Sequence, residues 1–368
     1  MDRRAFLKTG GAIFPAAAAL PKLALAQQLP FKPRQAEKWR GFEVTTRVEI
    51  VFPQGTTRVW LPVPSVDSGY QKTLDNAWSG NAQTAKIVHD GTYGAGMLYA
   101  EWSTPEKNPV IELYSRFATR DRAVDFSAPL VSVEKLSPGQ RAFYTGSTEH
   151  MPTDGIVKKT AQEVTQGAKS DYDKAKAIYE WIVDNTYRDP KTRGCGVGDI
   201  KTMLETGNLG GKCADLNALY VGLARAVGLP ARDVYGVRVA KSQFGYRSLG
   251  AGTANITRAQ HCRAEVYLAG FGWVPVDPAD VRKVVLEEKA QPTTLSDPLV
   301  QAVRPKLFGA WEMNWLAFNT ANDIVLPNAK DGKLTFFMYP QAETAAGRVD
   351  SLDPDNFKYT MTAKELST

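Results

Sequence analysis

The spacing of apolar and polar positions changes along this chain, and the changes divide it. From residue 42 to about residue 117 the pattern is that of strands. Phe42-Glu43-Val44-Thr45-Thr46-Arg47-Val48-Glu49-Ile50 alternates at period two. Residues 57–63 resume after a Pro-Gln-Gly-Thr turn, and residues 97–102 and 110–114 add further short β-rich runs. Gly, Pro, Asn and Asp punctuate these runs, which predicts an antiparallel β domain of sandwich type. Pro62 and Pro64 place the second strand at an edge or end it there.

From about residue 137 the spacing becomes helical. Ser170 or Asp171 caps a helix whose apolar face is Ala175, Ile178, Trp181 and Ile182 and which ends near Tyr187. Asp189-Pro190 and Gly194-Cys195-Gly196-Val197-Gly198 then read as loop. No strand leads into that glycine cluster and no Gly-Lys-Ser/Thr follows it, so it is a turn and not a phosphate loop. The clearest helix starts at Cys213: Leu216, Leu219, Tyr220, Leu223, Ala224 and Val227 form a buried stripe, and Gly228 and Pro230 stop it. Residues 234–239 read as a strand, and residues 240–259 as a long Gly-, Ser- and Thr-rich connection of the kind that is often functional. After about residue 292 the pattern loosens. Trp311-Glu312-Met313-Asn314-Trp315 and residues 334–339 predict a β-rich C-terminal lobe or cover. No internal repeat is visible. The expected organisation is α+β: a β-rich domain over 38–135, a mixed core over 137–292 and a β-rich segment over 293–368.

The first 26 residues stand apart. Asp2-Arg3-Arg4-Ala5-Phe6-Leu7-Lys8, a moderately apolar stretch and Ala24-Leu25-Ala26 compose a twin-arginine signal peptide with a small-x-small cleavage site. The stretch contains Pro15, Pro21 and Lys22 and falls short of the ~20 apolar residues of a membrane span. The expectation is export to a bacterial periplasm in the folded state, without stable membrane insertion. Of the formal charge of +6, half belongs to this leader, and no basic stripe with interleaved aromatics is present. That excludes nucleic acid as the expected partner. At 43% hydrophobic residues the remainder has ample material for buried cores.

Three cysteines, Cys195, Cys213 and Cys262, leave at least one thiol unpaired within the chain. A Cys195–Cys262 bridge with Cys213 free is one arrangement. With no CxxC pair, and His261 directly beside Cys262, zinc spacing is lacking, so neither a metal nor an organic cofactor is expected.

Cys213 lies behind Gly210-Gly211-Lys212 at the first turn of its helix, where the positive dipole end and free N–H groups favour a thiolate and suit a developing oxyanion. The paired glycines let the backbone approach a substrate closely. His261 opens a strand whose return is Trp273-Val274-Pro275-Val276, and Ala269-Gly270-Phe271 makes a three-residue hairpin loop. In that register Leu268 faces Gly272 and Arg263 faces Asp277. His261 and Asp277 are then diagonal neighbours, ~7–8 Å apart between Cα atoms. A thiol, an imidazole and a carboxylate in this setting are the parts of a nucleophile, its base and an orienting group. His89 and His150 have no comparable surroundings.

The run Gly211-Lys212-Cys213-Ala214-Asp215-Leu216-Asn217-Ala218-Leu219 through Gly228-Leu229-Pro230-Ala231-Arg232 resembles the cysteine motif of the transglutaminase-like superfamily. Residues 261–267 and 272–278 resemble its histidine and aspartate motifs, and the resemblance covers about residues 171–280. It implies a papain-like α+β core, a nucleophile helix against an antiparallel sheet, with Cys213 as nucleophile, His261 as base and Asp277 as orienter. One departure is Arg263, where family members often carry an aromatic residue. Arg263 either competes for Asp277 or binds a substrate carboxylate. Tyr246 and Arg247 of the long loop are further candidates for substrate contact, and Arg258 is another.

The function expected is acyl transfer through a thioester on peptide or amide bonds, as a peptidase, an amidase or a transglutaminase-type enzyme. Exported proteins or cell-wall peptides are the expected substrates. The competing expectation is a catalytically silent peptide-binding or assembly protein on the same fold.

Overall fold

In the computed structural model, residues 30–35, 37–128 and 133–367 are described; the expected signal peptide, residues 1–26, lies outside them. The N-terminal part forms six long strands: β1 (Arg40–Ile50), β2 (Thr57–Pro62), β3 (Gln71–Gly80), β4 (Thr84–His89), β5 (Gly96–Trp102) and β6 (Val110–Thr119). The alternation in β1 becomes a strict alternation of buried and half-buried positions from Phe42 to Ile50. β3 and β4 carry no apolar alternation, so the sequence pattern misses them. Both are edge strands, largely exposed, and need no buried face.

The middle of the chain supplies helices α1 (Pro138–Thr145), α2 (Gly155–Val164), α3 (Asp171–Asn185), α4 (Ile200–Thr206), α5 (Cys213–Ala226), α6 (Pro278–Glu287) and α7 (Pro298–Val303). With them come β7 (Ala231–Arg238), β8 (Gln260–Leu268), β9 (Gly272–Val276) and β10 (Trp315–Asn319), which form one antiparallel sheet in the order β9-β8-β7-β10. The central element is α5. Every residue from Cys213 to Arg225 is buried, because α2, α3, α4 and α6 pack around the helix while β7 and β8 back it. Ala264, Val266 and Leu268 of β8 enter this core with Leu219, Tyr220 and Leu223. Arg263 and Glu265, at the alternate positions, carry charge to the other face of the sheet.

The C-terminal residues do not form a lobe of their own. β10 extends the core sheet, β11 (Gln341–Thr344) pairs with β2, β12 (Gly347–Val349) pairs with β11, and β13 (Phe357–Leu366) pairs with β1 along ten residues. The last strands thus complete both layers of the N-terminal sandwich, β13-β1-β6-β3 over β12-β11-β2-β5-β4. Val48, Ile50, Ile111 and Leu113 of one layer bury against Val59, Leu61, Leu98 and Trp102 of the other. Phe42, Val44, Phe117 and Met361 pack in turn on Val237, Leu316 and Phe318 of the core sheet, which joins the sandwich to the core.

A buried charge network fastens the two parts at a second point. Glu265 of β8 is fully buried and takes Arg232 at 2.6 Å and Arg122, which follows β6. Burial opposes its charge, but Arg232 and Arg122 overcome that and hold its pKa below the usual carboxylate value. A group of this kind contributes stability above its unfolded pKa and loses it as pH falls through its folded value. Glu265→Gln leaves two arginines without their counter-charge. It is expected to lower unfolding stability by about 3–5 kcal/mol at pH 7. In urea titrations the gap to wild type is expected to narrow below about pH 4, near the ordinary glutamate pKa.

Candidate active site

The site is built at the N-terminus of α5. Lys212 is the N-cap residue, and Asp215 in the third helical position reaches back to accept from the Lys212 N–H at 2.9 Å. The other oxygen of Asp215 accepts from the N–H groups of Val197 and Gly198, both at 2.9 Å. The glycine cluster therefore wraps a carboxylate of its own chain. Gly196 has φ +95°, and a Cβ there would fall 1.8 Å from Asp215 Oδ2, so only glycine closes the loop. The pair before Cys213 is similarly constrained. A Cβ on Gly210 would meet the Tyr187 ring at 2.3 Å, and one on Gly211 would meet Asp215 Cβ at 2.5 Å. Close packing by Tyr187 and Asp215 accounts for these glycines, where the sequence suggested approach to a substrate.

The wrapped loop brings Cys195 to the head of α5, where its carbonyl accepts from the Ala214 N–H at 2.9 Å. All three cysteines are free thiols and lie in one buried cluster with Leu216, Tyr235, Met338 and Tyr339. The Cys195–Cys262 bridge is not formed. Hydrogen bonds from the Cys213 and Cys262 thiols draw the Cys195 pKa well below the usual thiol value, while burial pushes Cys262 well above it.

His261 and Asp277 meet as the hairpin requires. Leu268 pairs with Gly272 and Ala264 with Val276, the register of a three-residue loop, and Gly270 has φ +83°. His261 Nε2 lies 2.8 Å from Asp277 Oδ2, and both side chains are buried. Asp277 has a second role: it is the N-cap of α6, its Oδ1 accepting from the Asp280 N–H at 3.1 Å, with Pro278 in the first helical position. Asn217, one turn into α5, donates to the Cys262 carbonyl at 2.8 Å and approaches Asp277 Oδ1 at 3.4 Å.

A second carboxylate escapes the sequence reading. Asp280 Oδ1 is 3.4 Å from His261 Nε2 and 2.5 Å from Arg238 Nη2, at the end of β7. An acidic residue in the first turn of a helix is ordinary, so nothing local singles Asp280 out. Arg238 comes from a strand forty-two residues earlier. Burial and Arg238 act to lower the His261 pKa, but Asp280 and Asp277 outweigh them and raise it. Burial and Asp280 raise Asp277 against the pull of His261 and Arg263. Asp280 is opposed by burial, yet Arg238, His261 and Arg263 hold it well below the carboxylate range. His261, Asp277 and Asp280 have the spacing to ligate a cation. Arg238 and Arg263 already supply the positive charge beside them.

Arg263, Tyr246 and Arg247 are not where a substrate contact requires. Arg263 is fully buried, two residues along β8 on the face that His261 also uses. It donates to the Glu312 carbonyl at 3.0 Å, lies over the rings of Trp315 and Trp311 and sits 3.5 Å from the Asp277 oxygen that His261 also meets. It backs the His261–Asp277 pair as a counter-charge and does not displace it. Tyr246 is buried among Phe31, Phe244 and the core, and Arg247 is spent on the carbonyls of Glu287 and Lys289. Both line another cavity, which meets the cleft of Cys213 and His261 through Gly250, Ala251 and Gly252.

Cys213 and His261 line one cleft of about 580 Å³, together with Cys195, Arg258, Gln260 and Tyr339. With Nε2 engaged by Asp277, the nitrogen of His261 left for proton exchange is Nδ1. A thiol at a helix head and a carboxylate-backed imidazole in the same cleft can carry nucleophilic acyl chemistry.

Residues 158–278 match the family model of the transglutaminase-like superfamily, a span that contains Cys213, His261 and Asp277. The chain is 38% identical over 346 residues to an uncharacterized protein of Haemophilus influenzae, covering 88% of this chain and 91% of the relative. A crystal structure of a candidate cysteine protease from Cytophaga hutchinsonii shares the fold with a TM-score of 0.55 at 15% identity, over 90% of this chain and 92% of the other. The chain belongs to the transglutaminase-like superfamily, and its architecture is that of a papain-like core with β-rich flanks.

Because both carboxylates raise the His261 pKa, Asp277→Asn and Asp280→Asn are each expected to lower it, as read by NMR titration of the imidazole. Asp280→Asn also leaves Arg238 buried without its partner, for an expected stability loss of about 3–5 kcal/mol. Asp277→Asn keeps an oxygen acceptor for the α6 cap but leaves buried Arg263 without its nearest carboxylate, and a stability loss of the same order is expected in urea unfolding.

Proposed function

We propose that the protein is an exported cysteine-nucleophile enzyme that acts on peptide or amide carbonyls through a thioester. The observation that carries this reading is the shared cleft, with Cys213 at the head of α5 and His261 tied to buried Asp277. In the proposed reaction His261 Nδ1 takes the thiol proton and the Cys213 sulfur attacks the carbonyl carbon. The Cys213 N–H at the head of α5 faces the developing oxyanion, while the Ala214 N–H is already held by the Cys195 carbonyl. Collapse of that intermediate breaks the C–N bond, and the leaving amine takes the proton from His261. Water or an acceptor amine then attacks the thioester, giving hydrolysis or cross-linking. Asp277 keeps the imidazole oriented and stabilises its charged form, with Asp280 and Arg263 setting the field around it. Export by the twin-arginine route places the substrates in the periplasm, among exported proteins and cell-wall peptides.

The test is the pH dependence of iodoacetamide labelling, resolved by mass spectrometry to each of the three cysteines. Wild type is expected to label at Cys213 rapidly below pH 8, under the usual thiol pKa of about 8.5. His261→Ala is expected to slow it by about tenfold or more. Cys195→Ser is expected to leave the label on Cys213, because in this reading Cys213 at the helix head attacks and Cys195 only neighbours it; loss of the label would move the nucleophile to Cys195. Slow labelling at Cys213 that ignores His261 would sink the reading and favour peptide binding without catalysis.

A further inference from the structure

The cleft carries a charge that the bond chemistry does not use. Its walls hold Arg188, Arg193, Lys212, Arg238, Arg258 and Lys283, with Glu287 as the acid in the lining. Arg188 and Lys283 share Glu287, Arg238 pairs with Asp280 beneath the wall, and Arg193 pairs with Asp350 at 2.6 Å. Lys212 Nζ reaches a carbonyl, that of Thr192, at 2.7 Å. Arg258 is exposed and has no acidic partner among the described residues. Four of the six lining cations are thus ion-paired, while Lys212 and Arg258 have no ion pair among the described residues and the remaining acids near the thiol, Asp215 and Asp277, are buried beneath it. A recess with one sign of charge and low-dielectric walls concentrates field in its opening.

The cleft also does not end at Arg258. Thr257, Arg258, Leu352 and Tyr359 line both it and a second cavity of about 420 Å³ that lies over β13. The far wall of that cavity adds the exposed Lys358 and the Arg47–Glu49 pair, with apolar surface from Phe357 and Pro354. Arg258 thus stands at the junction of two recesses, one of about 580 Å³ and one of about 420 Å³.

We infer that cleft and cavity form one trough for an extended peptide carrying carboxylates beside the attacked carbonyl, with Arg258 as the specificity-determining residue at the junction. The inference rests on Cys213 being the nucleophile. The planar guanidinium of Arg258 suits a carboxylate in two-point contact, and Lys212 and Lys358 extend the same preference to either side. The C-terminal strand β13 then belongs to substrate binding, which explains how a strand of the sandwich comes to border the site.

Two measurements on the intact protein test this. The first is the ratio of alkylation rates at Cys213 by anionic iodoacetate and neutral iodoacetamide, a ratio in which the thiolate fraction cancels. It is expected to exceed that of a small free thiol and to fall about threefold or more in Arg258→Glu, with the difference shrinking in high salt. The second is protection of Cys213 from iodoacetamide by a blocked hexapeptide of alternating glutamate and alanine, against its glutamine counterpart. The acidic peptide is expected to protect better, and Arg258→Glu and Lys358→Glu are each expected to erase the difference. Rapid iodoacetamide labelling with an unchanged ratio in Arg258→Glu and equal protection by both peptides would overturn the inference and leave the nucleophile standing. No rapid labelling by either reagent would remove the nucleophile and the inference with it.

Discussion

The structure depends on one buried cluster of charge: His261, Asp277 and Asp280 against Arg238 and Arg263. Two carboxylates within reach of one imidazole nitrogen repel each other in a medium of low dielectric, and neither stays ionised without cations close by. Arg238 comes from β7 and Arg263 from β8, so the cluster is balanced only where the sheet brings these strands together. Arg263 in turn is covered by Trp311 and Trp315, whose rings lie 5.3 and 4.7 Å from its guanidinium. Those tryptophans belong to the chain beyond residue 293. The histidine's surroundings therefore require the C-terminal residues to fold back onto the core sheet, and β10 does so.

The same economy of parts recurs at the other components. Asp277 caps α6 with one oxygen and holds His261 with the other, so the imidazole is positioned by the start of a helix. Asp215 closes the glycine loop and the N-terminus of α5 together, which fixes the position of Cys195 relative to Cys213. The residues that orient His261 and Cys213 are themselves locked by backbone hydrogen bonds on regular elements, an arrangement that favours a fixed geometry over a mobile one.

Membership of the transglutaminase-like superfamily accounts for the core, whose matched span contains Cys213, His261 and Asp277. It does not account for what the cleft binds. At 15% identity the Cytophaga hutchinsonii structure shares the fold, and a fold hosts many substrates through its loops and walls. In this chain those walls come from the glycine loop, the 250–260 stretch and β13, three segments far apart in sequence. The basic lining and its continuation over the sandwich are features of how the parts assemble.

Local chemistry determined much of the site. Helical spacing after Cys213 marks α5 because 3.6-residue periodicity is written within one element. The three-residue loop fixes the parity of the hairpin, so the meeting of His261 with Asp277 was legible from the turn alone. Asp277 was legible as a candidate carboxylate closing the return strand, but its role as the N-cap of α6 was not. Only the tertiary structure decided the rest. Arg263 reads as a competitor for Asp277 or a substrate-binding residue until Trp311 and Trp315 are seen to bury it beside the His261–Asp277 pair. Asp280 is an unremarkable first-turn acid until Arg238 arrives from another strand. The C-terminal strands read as a separate segment because pairing between β13 and β1 spans more than three hundred residues, and no local pattern records which edge a strand will join. Periodicity and turn chemistry are properties of neighbours along the chain. Charge balance and sheet completion depend on neighbours in space.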